Sequence, residues 1–250
     1  MPVKVVATIE ARMGSTRFPG KVLERIGEET VLEWTAKRIR MAKLVDAVVV
    51  ATTTSASDDL ITDLCKQIDL PCYRGSEEDV LNRVASAARM MAADIVVQTG
   101  ADCPFYDPDI IDQMIGILIK GNYHYVCNDM EEGYPVGVNL HVIASETFFD
   151  VDRLATSQRD RENVVTYIWE HPEDFRIFNL TPPPELKRPD IRLTVDYRED
   201  LALLNELSKG INNDSFRTID IIRYLEKNPS LLEINKNCKM KQSSCAYNIE

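Results

Sequence analysis

Along the first half of the chain, short apolar runs alternate with stretches of helical periodicity. Residues 3–9 form a run of the kind buried on both faces of a sheet, and Leu32, Thr35, Ala36 and Ile39 then recur at helical spacing. Residues 47–52, rich in valine, read as a second strand and complete a βαβ unit. The rhythm repeats: a helix over 58–68, a short strand at Cys72 and Tyr73, a helix over 79–91, a strand over 94–98. Such alternation implies a mostly parallel sheet.

Asp107-Pro108 opens a further helix reaching about residue 120, since aspartate caps free amides and proline suits a first turn, and residues 123–127 follow as a strand. Beyond Asn128 the rhythm changes. Gly133, Pro135 and Gly137 precede an alternating stretch over 138–143, helices near 146–154 and 161–170, and Pro182, Pro183 and Pro184. We read 129–190 as an insertion within one domain spanning 1–227. Residues 191–195 read as a returning strand ending at Asp196, with helices over 198–208 and 218–227. Residues 228–250, rich in Asn, Lys and Ser, are expected to form a mobile tail.

Composition narrows the class. With 44% hydrophobic and 28% charged residues, 250 residues suffice for one globular α/β domain. A net charge of −11 repels polyanions, which disfavours nucleic acid as a partner. The first apolar run is too brief for a signal sequence or membrane span, so a cytoplasmic protein is expected. The six cysteines show no C-x-x-C pair and read as reduced thiols, with Cys65, Cys72 and Cys127 as core fillers. The three histidines are equally dispersed, which argues against zinc.

Against this acidic background, residues 11–23 stand out: a loop after the first strand with two glycines and the cations Arg12, Arg17 and Lys21. Gly14 and Gly20 let amides approach an anion, and the cations can neutralise a triphosphate at the carboxyl end of the sheet. The bland reading is a solvated surface loop. The spacing is not a Walker A loop, because five residues separate Gly14 from Gly20-Lys21 and Val22 replaces the hydroxyl that holds Mg2+. Nor is it the G-x-G-x-x-G dinucleotide fingerprint.

This loop resembles the signature of the cytidylyltransferases, in particular the group of spore coat polysaccharide biosynthesis, related to the synthetases of CMP-sialic acid and CMP-Kdo. The resemblance continues through residues 51–54, 74–81, 101–104, Tyr134-Pro135, Arg161-Glu162 and 193–201. It implies a three-layer Rossmann-like nucleotidyltransferase fold with CTP as the nucleotide. Ala11, Arg12, Met13, Gly14, Ser15, Lys21, Thr52, Thr53, Thr54, Arg74, Ala101 and Asp102 would contact it. Arg12, Lys21 and Asp102 would be catalytic, and Mg2+ would sit on Asp102 and Asp196. The acceptor, a small sugar acid, sugar phosphate or related molecule, would meet Tyr134, Asn139, His141, Arg161 and Glu162. The 129–190 insertion would cover it and pair subunits into a homodimer.

Elementary chemistry supports the metal pair, because each aspartate follows a strand expected in the sheet and Mg2+ favours one or two carboxylates plus phosphate oxygens. Helix or turn caps are the alternative for both. The resemblance would place Arg74 and Arg83 near the nucleotide or the acceptor, and surface ion pairs with Glu77 or Glu78 are the equal alternative.

The chain departs from the family pattern at Ala101, where glycine is usual, at Val136, Asn139 and His141, where carboxylates are usual, and at Asn163, where histidine is usual. Such losses alter acceptor tolerance or weaken catalysis. For His141 the readings are a catalytic base and, as the expectation, a solvent-facing strand histidine. Two rivals stay open: a nucleotide-sugar glycosyltransferase, for which Asp107-Pro108-Asp109 would supply a metal motif, and a nucleotide-binding homologue with weakened catalysis.

Overall fold

The computed structural model describes residues 3–131, 133–211 and 213–239. Its frame is a sheet built from β1 (Val5–Glu10), β4 (Ala47–Thr53), β5 (Cys72–Gly75), β6 (Ile95–Gly100), β7 (Tyr125–Cys127), β8 (His141–Ala144) and β9 (Ile177–Asn179). The small β2 (Arg25–Ile26) and β3 (Glu29–Thr30) pair separately. The order β5-β4-β1-β6-β8-β7-β9 is parallel throughout except for β8, which runs antiparallel to β6 and β7. After β1 the chain builds outward through β4 and β5, then crosses back to place β6 on the other side of β1. The strand order therefore reverses between β1 and β6, and ligands of open parallel sheets bind outside the carboxyl ends of strands at such a reversal.

Nine helices flank the sheet among the described residues: α1 (Val31–Arg40), α2 (Asp59–Gln67), α3 (Val80–Met90), α4 (Pro108–Gly121), α5 (Ser145–Leu154), α6 (Gln158–Glu162), α7 (Thr166–Glu170), α8 (Arg198–Ile211) and α9 (Thr218–Lys227). β1 is buried on both faces, so Ala7 and Ile9 join one apolar cluster and Val6 the other. The first cluster takes Leu32, Ile111, Leu204 and Ile222 from α1, α4, α8 and α9; the second takes Val84, Phe148 and Ile168 from α3, α5 and α7. This gives the expected three layers. Local signals set the boundaries: Thr30 and Glu33 form a capping box on α1, with Glu33 N donating to Thr30 Oγ1 at 3.2 Å.

Several expectations need correction. Residues 191–195 make no sheet strand; they run extended with a single bridge, Val136 to Arg192. Leu193 N bonds Val136 O at 2.7 Å and Val195 N bonds Asp102 O at 2.8 Å, so the segment ties two loops together. The helix expected over 161–170 breaks into α6 and α7 because Asn163 is extended, its side chain capping Arg159 O at 2.9 Å. Within 129–190, β8 and β9 belong to the central sheet, so this segment builds the frame as well as its cover. Of the expected tail, Pro229–Glu233 forms a 3-10 turn and Asn235 is buried; residues 240–250 lie outside the described residues. Cys65 and Cys127 are buried free thiols, while Cys72 is half-buried.

Candidate active site

β1 ends at Glu10, and the chain turns into the loop at the point of strand reversal. Gly20, in the left-handed region at φ 74°, opens the 3-10 turn Lys21–Leu23. Inside the loop, the amides of Ser15 and Gly20 bond Met13 O at 2.9 and 3.0 Å, and Met13 N donates to Asp58 Oδ1 at 2.8 Å. The amides of Arg12, Gly14, Thr16 and Arg17 keep no partner among the described residues. Unpaired backbone donors beside cations form an anion cradle.

The two aspartates meet at one ammonium. Lys21 Nζ donates to Asp102 Oδ2 at 2.6 Å and to Asp196 Oδ1 at 2.7 Å, across 81 and 175 residues of sequence. Asp196 also pairs with Arg17 at 2.7 Å and Arg192 at 2.7 Å. Burial alone would raise the Asp196 carboxyl, but Lys21, Arg192 and Arg17 outweigh it and hold it below the usual range. Likewise, burial opposes the charge on Lys21, while Asp102 and Asp196 push its ammonium above the ordinary value.

Lys21, Arg17 and Asp102 border a cleft of about 320 Å³, lined also by Arg12, Ser15, Glu10, Arg83 and Glu162. Glu10 accepts a hydrogen bond from Gln98, yet burial raises its carboxyl.

Other expected residues play different parts. Ala11 lines the cleft but Ala101 is buried, its N bonded to Glu10 O at 2.9 Å. The Thr52 and Thr53 hydroxyls turn inward onto Asp58 Oδ2 at 3.2 and 2.5 Å, and Thr54 N bonds Gly75 O at 3.0 Å. Arg74 clamps the same turn through Thr53 O at 2.8 Å, Ser55 O at 2.7 Å and Asp59 at 2.6 Å, so its guanidinium serves the scaffold.

On the acceptor side, Tyr134 is buried, burial pushing its phenol up to about 12, and Asn139 Nδ2 donates to Asn128 O at 3.3 Å. His141 does not face solvent as expected. It stacks on Tyr125, shares a 2.6 Å hydrogen bond with the Tyr125 hydroxyl, and is held below its ordinary pKa by burial. Arg161 forms a bidentate pair with Asp79 at 2.9 and 2.7 Å and meets Asp152 at 2.9 Å. Of these five residues, Glu162 lines the cleft. Asp107 caps α4 through Asp109 N at 3.0 Å, and its other oxygen takes Thr218 N at 2.7 Å, so the D-x-D pattern is a helix cap.

The profile of the family described as cytidylyltransferase matches residues 6–237. The chain belongs to this cytidylyltransferase family. The spore coat polysaccharide biosynthesis protein SpsF of Bacillus subtilis is 30% identical over 233 residues, 90% of this chain and 95% of that one. A solved cytidylyltransferase from Leptospira borgpetersenii superposes with a TM-score of 0.88 at 29% identity, covering 96% of this chain and 100% of the other. The structure of CMP:2-keto-3-deoxy-manno-octonic acid synthetase complexed with CTP matches at TM-score 0.61 and 16% identity over 82% of this chain and 98% of its own, a likeness of fold. The cytidylyltransferase is thus a nucleotidyltransferase of the expected fold. No helix among its described residues is long and apolar enough to cross a membrane.

Oxygen donors of the kind a hard divalent ion takes are present in this cytidylyltransferase, with both oxygens of Asp196 held by Lys21, Arg17 and Arg192. Two carboxylates converge, Asp102 remains 34% exposed, and no cluster of three or more metal-ligating side chains exists among the described residues. A metal there would complete its shell with phosphate oxygens and water, as Mg2+ does.

Three supports were not foreseen in the sequence. Asp58 holds Met13 and the threonines; Asp200, fully buried, accepts Arg192 Nε at 2.9 Å and the amides of Asp196 and Tyr197 at 3.0 Å each; Asn235 donates to Asp200 at 2.9 Å. The one available signal was Asp200 placed four residues after Asp196, as a helix-start acid would be.

Proposed function

We propose that this cytidylyltransferase transfers CMP from CTP to an oxygen of a small sugar acid, sugar phosphate or related acceptor, releasing pyrophosphate, as a step in surface polysaccharide or glycan precursor synthesis. The acceptor oxygen forms a bond to the α-phosphorus, the bond from that phosphorus to the bridging oxygen of the β-phosphate breaks, and the acceptor's proton, where present, passes to solvent. The observation that carries this reading is the convergence of Lys21, Asp102 and Asp196 beside four unpaired amides.

Arg12, Arg17 and Lys21 would take the phosphates, and Lys21 would neutralise charge growing on pyrophosphate. Asp102 and Asp196 would hold Mg2+, which supplies Lewis-acid polarisation of the phosphates. Because CTP is a cytoplasmic metabolite, we place the reaction there, and we assign the 129–190 segment to acceptor cover and homodimer contact.

The test is pyrophosphate release with each of the four nucleoside triphosphates against sugar acids, sugar phosphates and polyol phosphates, with and without Mg2+. Release from CTP that needs both acceptor and Mg2+ is expected. Transfer from a nucleotide sugar without pyrophosphate from CTP would overturn it. The internal engagement of Asn139, His141 and Arg161 favours one second reading, a nucleotide-binding homologue with weakened catalysis; its signature is CTP binding in calorimetry without turnover.

A further inference from the structure

Residues 51–54, which the family resemblance puts against the nucleotide, reach the cleft only at one remove. None of residues 51–59 lines it, nor do Met13 and Arg74. Thr52 and Thr53 instead converge on Asp58, which is 1% exposed. Asp58 Oδ2 accepts the Thr52 hydroxyl at 3.2 Å, the Thr53 hydroxyl at 2.5 Å and Thr53 N at 3.2 Å. Its Oδ1 accepts Met13 N at 2.8 Å, from 45 residues away. Burial alone would raise this carboxyl, but the donors Thr53, Met13 and Thr52 outweigh it and hold it below the ordinary range. An ionised acceptor makes the Met13 bond a strong, directional tie.

Met13 is the hub of the phosphate loop. Its carbonyl accepts the amides of Ser15 and Gly20 at 2.9 and 3.0 Å, so both peptide units that it joins are pinned, one by Asp58 and the other within the loop. A trans peptide sets its N–H opposite its C=O. The Gly14 amide, one of the four left unpaired, is thereby aimed away from Ser15 and Gly20. On the other side of Asp58, Arg74 holds the turn through Thr53 O at 2.8 Å, Ser55 O at 2.7 Å and Asp59 Oδ1 at 2.6 Å. A continuous chain of contacts thus runs from Arg74 in β5 through the turn at 53–59 to Asp58, and from Asp58 to Met13.

Resting on the nucleotide reading above, we propose that Asp58 is a positioning residue that sets the phosphate-binding shape of the loop, and that Arg74 acts on phosphate affinity through it rather than by touching the nucleotide. Without the Asp58 tie the Met13 peptide is free to turn, and the amides beside it lose their common aim. A cradle that is ordered only when its ligand arrives binds more weakly by the entropy of that ordering.

Inorganic pyrophosphate with Mg2+ is the probe, because it has no base or ribose for the turn or Arg74 to touch. Asp58→Asn keeps the shape but sets an amide N–H against either Met13 N or Thr53 N, whichever way it is turned. Calorimetry on the full chain should show pyrophosphate bound at least about tenfold more weakly in Asp58→Asn, a change of about 1.4 kcal/mol, and at least about threefold more weakly in Arg74→Met. The double variant should match Asp58→Asn within about twofold, since both substitutions act through one turn. Affinity for α,β-methylene CTP should fall by the same factors. Asp112→Asn is the matched control: this carboxylate accepts Lys43 N at 2.9 Å and Leu44 N at 2.8 Å, ahead of β4 at the other edge of the sheet, and pyrophosphate affinity should not change. Unchanged pyrophosphate affinity in either single variant, additive losses in the double variant, an equal loss in Asp112→Asn, or a loss confined to the nucleotide analogue would overturn the proposal, the last by placing Arg74 or the threonines on the nucleoside. If Asp58→Asn does not fold, Thr53→Val, which removes the 2.5 Å donor, takes its place with an expected loss of at least about threefold, and unchanged affinity sinks the idea. Failure of the unsubstituted protein to bind either pyrophosphate or the analogue would instead remove the nucleotide reading, and this inference with it.

Discussion

Lys21 and Arg161 are both cations held between two aspartates, and their surroundings differ. At Lys21 the partners arrive from separate loops, and Asp102 keeps 34% of its side chain exposed beside the cleft. At Arg161 the fork is filled: Asp79 and Asp152 occupy it, and Nη1 also donates to the carbonyl of Asp152 at 2.6 Å and that of Ala155 at 3.3 Å. The first cluster has hydrogen-bonding capacity left over at a concave surface; the second has used its own to fasten α6 to α3 and α5. Charge pattern alone does not separate a cluster with free hydrogen-bonding capacity from a saturated one, whereas the partners each group finds do.

The sharpest way to break this contrast is to remove each centre. Lys21→Ala or Asp102→Asn should cut CTP-dependent turnover by at least ~100-fold, the scale of losing one electrostatic stabiliser, measured by pyrophosphate release. Near-normal release in both would collapse the distinction. Arg161→Met should do the reverse, lowering unfolding free energy by about 1.5–3 kcal/mol in urea titrations while turnover of the folded enzyme changes less than ~5-fold.

Asn235→Ala tests whether the C-terminal segment belongs to the first cluster. It removes one bond to Asp200, which braces Arg192 and the backbone of Asp196. The expected cost is about 1 kcal/mol of stability, together with a raised Mg2+ requirement for half-maximal rate. Loss of stability with an unchanged Mg2+ profile would make Asn235 a packing residue alone.

The smallest effect is expected at His141. Burial holds its folded pKa below the ordinary 6.5, against the opposing charge of Asp129. The unfolded chain then binds the extra proton first, so the stability this residue leaves intact above 6.5 is lost as pH falls toward the folded value. His141→Phe should flatten the loss of melting temperature on acidification from neutral pH, with turnover little changed. An unaltered acid profile would show that other groups govern it; Asp129, whose carboxyl burial raises, is the nearest and has the opposite sign.

Much of the frame was legible because period and burial are local. β1, β4 and β6 follow from short apolar runs, and α4 from an aspartate cap with proline in its first turn. The segment over 191–195 was misread because its apolar residues are buried beneath loops, and a ladder partner cannot be inferred from burial. Arg74 and Arg83 look alike in sequence, each near acidic residues. Only packing sends Arg74 to the turn at 53–59 and Arg83 into the cleft.

By itself the sequence determined the alternating elements, the net charge of −11, and the glycine-and-cation loop after the first strand, because periodicity, net charge and short motifs need no distant partner. The tertiary structure alone decided which charges remain available. Lys21 finds Asp102 and Asp196, Arg161 is closed by Asp79 and Asp152, and Arg83 is left with an unpaired Nε. Those outcomes depend on contacts between residues far apart in the chain, set by the sheet order and by which face each helix covers.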